Sequence, residues 1–185
     1  VFAIGGWVAS PQQPPTPARD EVRSAGRLGF WGSILMFIPI INVIGALLVL
    51  LALHRLSRAY GNNAIWRNAL YAIVTNIIII SIISGLILLI IIATSLARSF
   101  TIPNSAGKVV AFLIILILYV FTLVSSWFMK NAYSELSKSS GVEYFSKVAK
   151  WYWISAILTI IVVGLILLII AQIYMILGFR RLKNL

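Results

Sequence analysis

The chain has 185 residues, of which 61% are hydrophobic and only 10% are charged. Soluble domains are about 45–50% apolar and about 25% charged, so this composition excludes a water-soluble globular fold. The net charge is +11, from 15 Lys and Arg against 4 Asp and Glu. In so apolar a chain, these charges fit the loops of a multi-pass membrane protein at lipid headgroups, and we expect no nucleic-acid partner.

The N-terminal region differs in composition from the rest of the chain. Residues 10–17 read Ser-Pro-Gln-Gln-Pro-Pro-Thr-Pro, which is typical of a semi-rigid polyproline linker. No positively charged segment precedes the short apolar stretch 1–9, so a signal peptide is not indicated. We therefore divide the chain into a tail, residues 1–23, and a single transmembrane helical domain, residues 24–183.

Four long stretches of that domain carry no charged residue. They are residues 28–53, 68–97, 109–129 and 151–178, and each exceeds the roughly 20 residues that cross a bilayer as a helix. Runs such as Ile77–Ile80 do not alternate as membrane strands do. The sequence predicts an all-α integral membrane protein, a bundle of three long transmembrane helices plus an N-terminal broken helix or short helical hairpin, with four to five membrane segments.

The first uncharged stretch allows two arrangements. Asn42 comes three residues after Pro39, and this combination favours a turn. Proline also kinks membrane helices without ending them. One kinked helix divides the basic residues eight against seven between the two sides of the membrane. A hairpin divides them ten against five, and the positive-inside rule then favours the hairpin and places the 55–67 and 130–150 loops in the cytoplasm.

Basic and aromatic residues gather in these two loops. The 130–150 segment is expected to form a helical hairpin out of the membrane, with Gly141 ending its first helix in the left-handed conformation. Tryptophans mark the same interface, as an aromatic belt does. The residues predicted to face headgroups or a partner are Arg55, Arg58, Arg67, Lys138, Lys147, Lys150, Trp66, Trp127 and Trp151.

The sequence offers few groups for catalysis. Cysteine is absent, and the single histidine, His54, is expected to be a satisfied interfacial side chain. Asp20 and Glu21 are neighbours that would point apart on a helix. We expect no catalytic, cofactor-binding or metal-binding residues and no enzymatic activity from this chain.

Polar and small residues within the apolar stretches are predicted to join helices. Asn76 and Gln172 cannot easily be satisfied within one helix, so each is expected to bond to a neighbouring helix. Ser81 and Gly85, like Gly29 and Ser33, are four residues apart and suit close helix approach. A polar lining for a substrate path is the alternative for these residues.

Several stretches together resemble an uncharacterised family of archaeal multi-pass membrane proteins, a domain of unknown function. They are residues 52–61 (Ala-Leu-His-Arg-Leu-Ser-Arg-Ala-Tyr-Gly), 64–71, 132–141 and 154–164. The likeness extends from Gly26 to Phe179, with Asn42 standing where the family pattern leads us to expect glycine. It implies no activity and no site residues.

The sequence therefore favours a non-catalytic integral membrane protein that acts as an accessory or structural subunit of a larger membrane assembly. Its expected partners are membrane lipids and other integral membrane subunits. A small passive transporter, channel or lipid-handling protein is the alternative.

Overall fold

The computed structural model describes residues 19–38, 40–96, 104–159 and 163–185, and these form six helices and no strand. The helices are α1 Arg19–Leu35, α2 Asn42–Ala59, α3 Asn63–Leu96, α4 Asn104–Ser140, α5 Glu143–Leu158 and α6 Val163–Lys183. The predicted all-helical class is confirmed. Within the described residues, three segments are long and apolar enough to cross a membrane, namely Asn42–Ala59, Asn63–Leu89 and Phe112–Ser140.

The described helices form three antiparallel hairpins. Helices α1 and α2 form a short hairpin, α3 and α4 a long one, and α5 and α6 a second short one. The starts of α1, α3 and α5 and the ends of α2, α4 and α6 lie together, as the contacts of Ser24 with Arg55 and of Asn62 with Ser139 show. We call this end of the molecule the base.

The first uncharged stretch is a hairpin and not one kinked helix. Asn42 is the first residue of α2, while Pro39, the other predicted turn residue, lies outside the described residues. Glycines allow the two helices to touch: a Cβ on Gly32 would lie 2.8 Å from the carbonyl oxygen of Gly45, and one on Gly45 would lie 2.6 Å from that of Gly32. Only glycine permits this backbone contact.

The prediction of one long helix over residues 151–178 is wrong, because α5 ends at Leu158 and α6 begins at Val163. The residues from Thr159 to Val163 are all β-branched, which lowers helix propensity. A Cβ on Gly164 would collide with the backbone of Ser155 and Thr159, so α6 returns directly against α5.

Helix α1 starts beside the acidic residues Asp20 and Glu21, which suit the helix dipole. It begins at Arg19, inside the expected tail, and Val22 is buried in the core. Farther along α1, Gly26 and Gly29 lie against α6, where they contact Leu182 and the ring of Phe179. Gly26 and Gly29 thus pack α1 against α6, and Gly32 packs it against α2.

The packed core lies at the base and includes the 130–150 segment. Tyr133 and Leu136 of α4 and Phe145 of α5 are fully buried there together with Phe179 and Leu182 of α6. Helix α4 ends at Ser140 and Gly141 has φ +68°, as predicted. The segment is therefore part of a six-helix core and not a free-standing protrusion.

Candidate functional site

A small apolar cavity of about 100 Å³ lies where the helices meet above the base. Its lining comes from the α1–α2 turn and from each of the helices α2 to α6, so no single hairpin could form it. The lining residues are Met36, Ala46, Val49, Leu50, Leu53, Ile73, Asn76, Met129, Tyr133, Tyr152 and Met175.

The cavity is lined mainly by apolar side chains, including three methionines. The hydroxyl of Tyr133 donates to the sulfur of Met175 at 2.6 Å, and both side chains are buried. Methionine adapts its shape to irregular apolar partners, and Met36 and Met129 contribute two more thioethers. An apolar cavity of about 150 Å³ holds benzene, so this one suits a short segment of a hydrocarbon chain.

Lysines stacked on aromatic rings surround the base below the cavity. Lys130 Nζ lies 4.6 Å from the ring centroid of Trp127 and 5.4 Å from that of Trp153. Lys183 Nζ lies 4.5 Å from the ring of Phe30. Such cation–π pairs hold a positive charge beside the aromatic rings of the base.

The residues predicted to face headgroups all lie at the base. The six basic side chains Arg55, Arg58, Arg67, Lys138, Lys147 and Lys150 are exposed. Trp127 is also exposed and stacks edge-on against Trp153 at 5.3 Å, whereas Trp66 and Trp151 are half-buried.

An open cleft at the base combines charges that the sequence had not paired. Asp20, Glu21 and Ser24 of α1 face Arg55 and Arg58 of α2 across about 560 Å³. Arg55 Nη1 donates to Ser24 Oγ at 3.2 Å. The antiparallel α1–α2 hairpin creates this arrangement, because it brings the acidic start of α1 to the basic end of α2.

His54 is less well satisfied than the sequence led us to expect. Its ring packs edge-on against Trp66, with centroids 4.5 Å apart. Its Nδ1 is buried and has no hydrogen-bond partner among the described residues. The described residues also contain no cluster of three or more His, Asp or Glu side chains that could hold a metal ion.

The predicted interhelical polar residues behave differently from one another. Gln172 Nε2 donates to the backbone oxygen of Ser33 at 3.4 Å, which ties α6 to α1. Asn76 is exposed at the edge of the cavity. Ser81 and Gly85 are exposed, and a Cβ on Gly85 would meet no heavy atom within 4 Å, so this pair mediates no close approach among the described residues.

A different polar contact, not found from the sequence, links the loop between α2 and α3 to α4. Asn62 Nδ2 donates to Ser139 Oγ at 3.0 Å and to Glu135 Oε2 at 3.3 Å. Asn62 Oδ1 accepts the backbone N–H of Ala64 at 3.1 Å and so caps α3. The sequence signal was the capping asparagine itself, before the first helical turn.

Comparison with known proteins agrees with this architecture. The model of the family described as "Protein of unknown function (DUF996)" matches residues 41–173. The chain belongs to this family. It is also 28% identical over 172 residues to an uncharacterized protein of Methanocaldococcus jannaschii, covering 89% of this chain and 94% of that protein. No solved structure matches the chain.

The resemblance seen in the sequence is thereby confirmed, including its archaeal character. The family match begins at Ile41 and ends at Ile173, so it covers α2 to α5 and half of α6 but not α1. DUF996 membership supplies no activity, and function has to be argued from the geometry.

Proposed function

We propose that this DUF996 protein is a non-catalytic structural subunit of a larger membrane assembly. The observation that carries the proposal is the distal arm, residues 80–96 of α3 and 104–118 of α4. Every side chain of the arm that the structure describes is exposed or half-buried, and almost all are apolar. Helices of other membrane subunits can pack on such a surface without any rearrangement of the six-helix core.

Ser81 and Gly85 supply a contact point on this arm. They leave a shallow depression on α3, and small residues four apart allow the backbone of another helix to approach closely. Among the described residues, no heavy atom lies within 4 Å of a Cβ built on Gly85. A transmembrane helix of a partner subunit is the occupant that fits this depression.

The test is co-purification from native membranes after mild detergent extraction. Mass spectrometry is expected to find a second integral membrane polypeptide in fixed proportion to this chain. Gly85→Leu is expected to remove it, because the new side chain fills the depression, and its Cβ would meet no described heavy atom within 4 Å. Ile87→Leu, a volume-conserving change at an exposed site on the same helix, is the matched control. A homogeneous preparation without a second polypeptide contradicts the proposal.

We further propose that the base faces the cytoplasm. Among the Lys and Arg residues in the described part of the chain, only Lys108 lies away from the base. The positive-inside rule places such a concentration of charge on the cytoplasmic side. The 55–67 and 130–150 loops then lie in the cytoplasm.

Lipid handling is a second candidate, favoured by the apolar cavity above the base and the lysine–aromatic pairs around the base. A lipid chain in the cavity and its headgroup beside Lys130 would fit both features. Native mass spectrometry is expected to detect a bound lipid that Ala46→Phe displaces by filling the cavity. Leu47→Phe, at an exposed neighbouring position on α2, should retain the lipid. Equal lipid retention in both variants excludes the cavity as the binding place.

A further inference from the structure

We propose that the described part of this protein is a wedge in the membrane, with six helices in the leaflet at the base and two in the opposite leaflet, and that the protein therefore binds preferentially to curved bilayers. The proposal is independent of any partner subunit. It depends on how deeply the two short hairpins enter the membrane, and two sets of contacts determine their depth.

The first hairpin ends halfway along α3. His54 of α2 packs on Trp66 of α3, and the two helices are antiparallel. The start of α2 at Asn42 lies 12 residues, about 18 Å, above His54. On α3, the residue 12 positions beyond Trp66 is Ile78, so the start of α2 lies at the level of Ile78. Helix α3 continues beyond that level to Leu96.

The second hairpin ends at the same level. Tyr119 of α4 donates its hydroxyl proton to the backbone oxygen of Ile157, next to the last residue of α5. Ser125 Oγ donates to the backbone oxygen of Ala72 at 3.1 Å, which fixes the level of α4 relative to α3. Moving away from the base, Tyr119 lies six residues from Ser125 on α4, and Ile78 lies six residues from Ala72 on α3. Both short hairpins therefore end at the same height.

That height is the middle of the bilayer. On α4 the uncharged stretch runs from Val109 to Met129, between Lys108 and Lys130. Its length is about 31 Å, which matches the roughly 30 Å thickness of the hydrocarbon core. Tyr119 is its central residue, so the short hairpins cross one leaflet only.

The tip of the first hairpin has the chemistry that this position requires. Phe37, Ile38 and Val43 are exposed, and Ile40 is 92% exposed. The backbone bonds to itself through Phe37 N–H to Ile34, Ile38 N–H to Leu35 and Ile41 N–H to Ile38, each at 3.1 Å. Apart from the exposed Asn42 side chain, the described residues of this turn are apolar, and these three N–H groups are internally bonded, which suits hydrocarbon, where unpaired backbone groups are costly.

Unequal numbers of helices give unequal areas in the two leaflets. A helix about 10 Å wide occupies roughly 80 Å², so four additional helices expand one leaflet by about 300 Å². A bilayer that bends with this leaflet on its convex side accommodates the difference. The protein should therefore concentrate where the leaflet at the base is convex.

Hairpin depth is tested with a spin label in lipid vesicles. The chain lacks cysteine, so Ile40→Cys gives a single labelling site on a side chain that is 92% exposed. The label is expected to be accessible to oxygen dissolved in the lipid and protected from a water-soluble nickel complex. Labels at Ser24→Cys and Lys108→Cys, at the two ends of the uncharged region, are the matched controls and should be accessible to nickel. Nickel accessibility at Ile40 would overturn the proposal.

Curvature preference is tested with fluorescent protein in giant vesicles from which narrow membrane tubes are pulled. Molecules whose base faces outward are identified by quenching a Ser24→Cys dye with an impermeant reagent. They are expected to be about two-fold or more enriched in the tube relative to the flat membrane, since membrane-bound helices respond to curvature. Molecules of opposite orientation should be depleted and form an internal control. Equal density of both orientations in tube and vesicle would overturn the proposal.

Discussion

Individual glycines determine how closely the helices of this protein approach. Gly32 and Gly45 place the backbones of α1 and α2 in direct contact, while Gly85 borders open space. Because lipid provides no hydrophobic driving force between helices, such close contacts contribute much of the packing energy. The same residue type thus has opposite roles at different positions, which composition alone does not distinguish.

Gly45→Ala and Gly85→Ala form a matched pair that tests these roles. At Gly45 the new Cβ would lie 2.6 Å from the backbone oxygen of Gly32 and 2.6 Å from the backbone nitrogen of Met36. Because these are backbone atoms, they cannot move away by a side-chain rotation. Overpacking of this kind costs about 1–3 kcal/mol, so Tm in detergent should fall. Gly85→Ala should leave Tm unchanged or raise it, because alanine favours helix by about 0.5–1 kcal/mol. An equal Tm for both variants would contradict close packing of α1 on α2.

At the level of helices, some features could be predicted from the sequence and others could not. Uncharged stretches located the long α3–α4 hairpin, and Gly141 marked the end of α4, because burial of charge and positive φ are local constraints. The return of α6 onto α5 was missed, because apolar residues suit both a transmembrane helix and a half-depth hairpin. The cavity was missed because its lining comes from distant parts of the chain.

A distance measurement distinguishes the α5–α6 hairpin from one continuous helix. Lys147 and Arg181 line the same surface cleft. In a single helix their 34-residue separation would place them about 50 Å apart. Spin labels at Lys147→Cys and Arg181→Cys are expected to show a much shorter distance by double electron–electron resonance. Since both side chains are exposed, labelling should leave the core intact. A distance near the continuous-helix value would refute the break after Leu158.

At the scale of the whole molecule, the fold gives the +11 charge a clearer meaning. In the expected arrangement with one short hairpin, the C-terminal basic residues Arg180, Arg181 and Lys183 lay on the side opposite the 130–150 loop. The second hairpin returns them to the base, where Lys183 stacks on Phe30. The basic residues are therefore more concentrated at one end of the molecule than the sequence indicated, which supports the proposal that the base faces the cytoplasm.

This orientation predicts which introduced cysteines react in intact cells. Ser24→Cys and Ser139→Cys at the base should react with an impermeant maleimide only after the membrane is permeabilised, whereas Lys108→Cys should react in intact cells. The result depends on both short hairpins returning to the base, because one full crossing by the first hairpin region would place Ser24 opposite Ser139. The cysteine-free parent chain controls for background labelling. Reaction of Ser24→Cys without permeabilisation, alongside a protected Ser139→Cys, would restore the single kinked helix and remove the asymmetry on which the wedge shape depends.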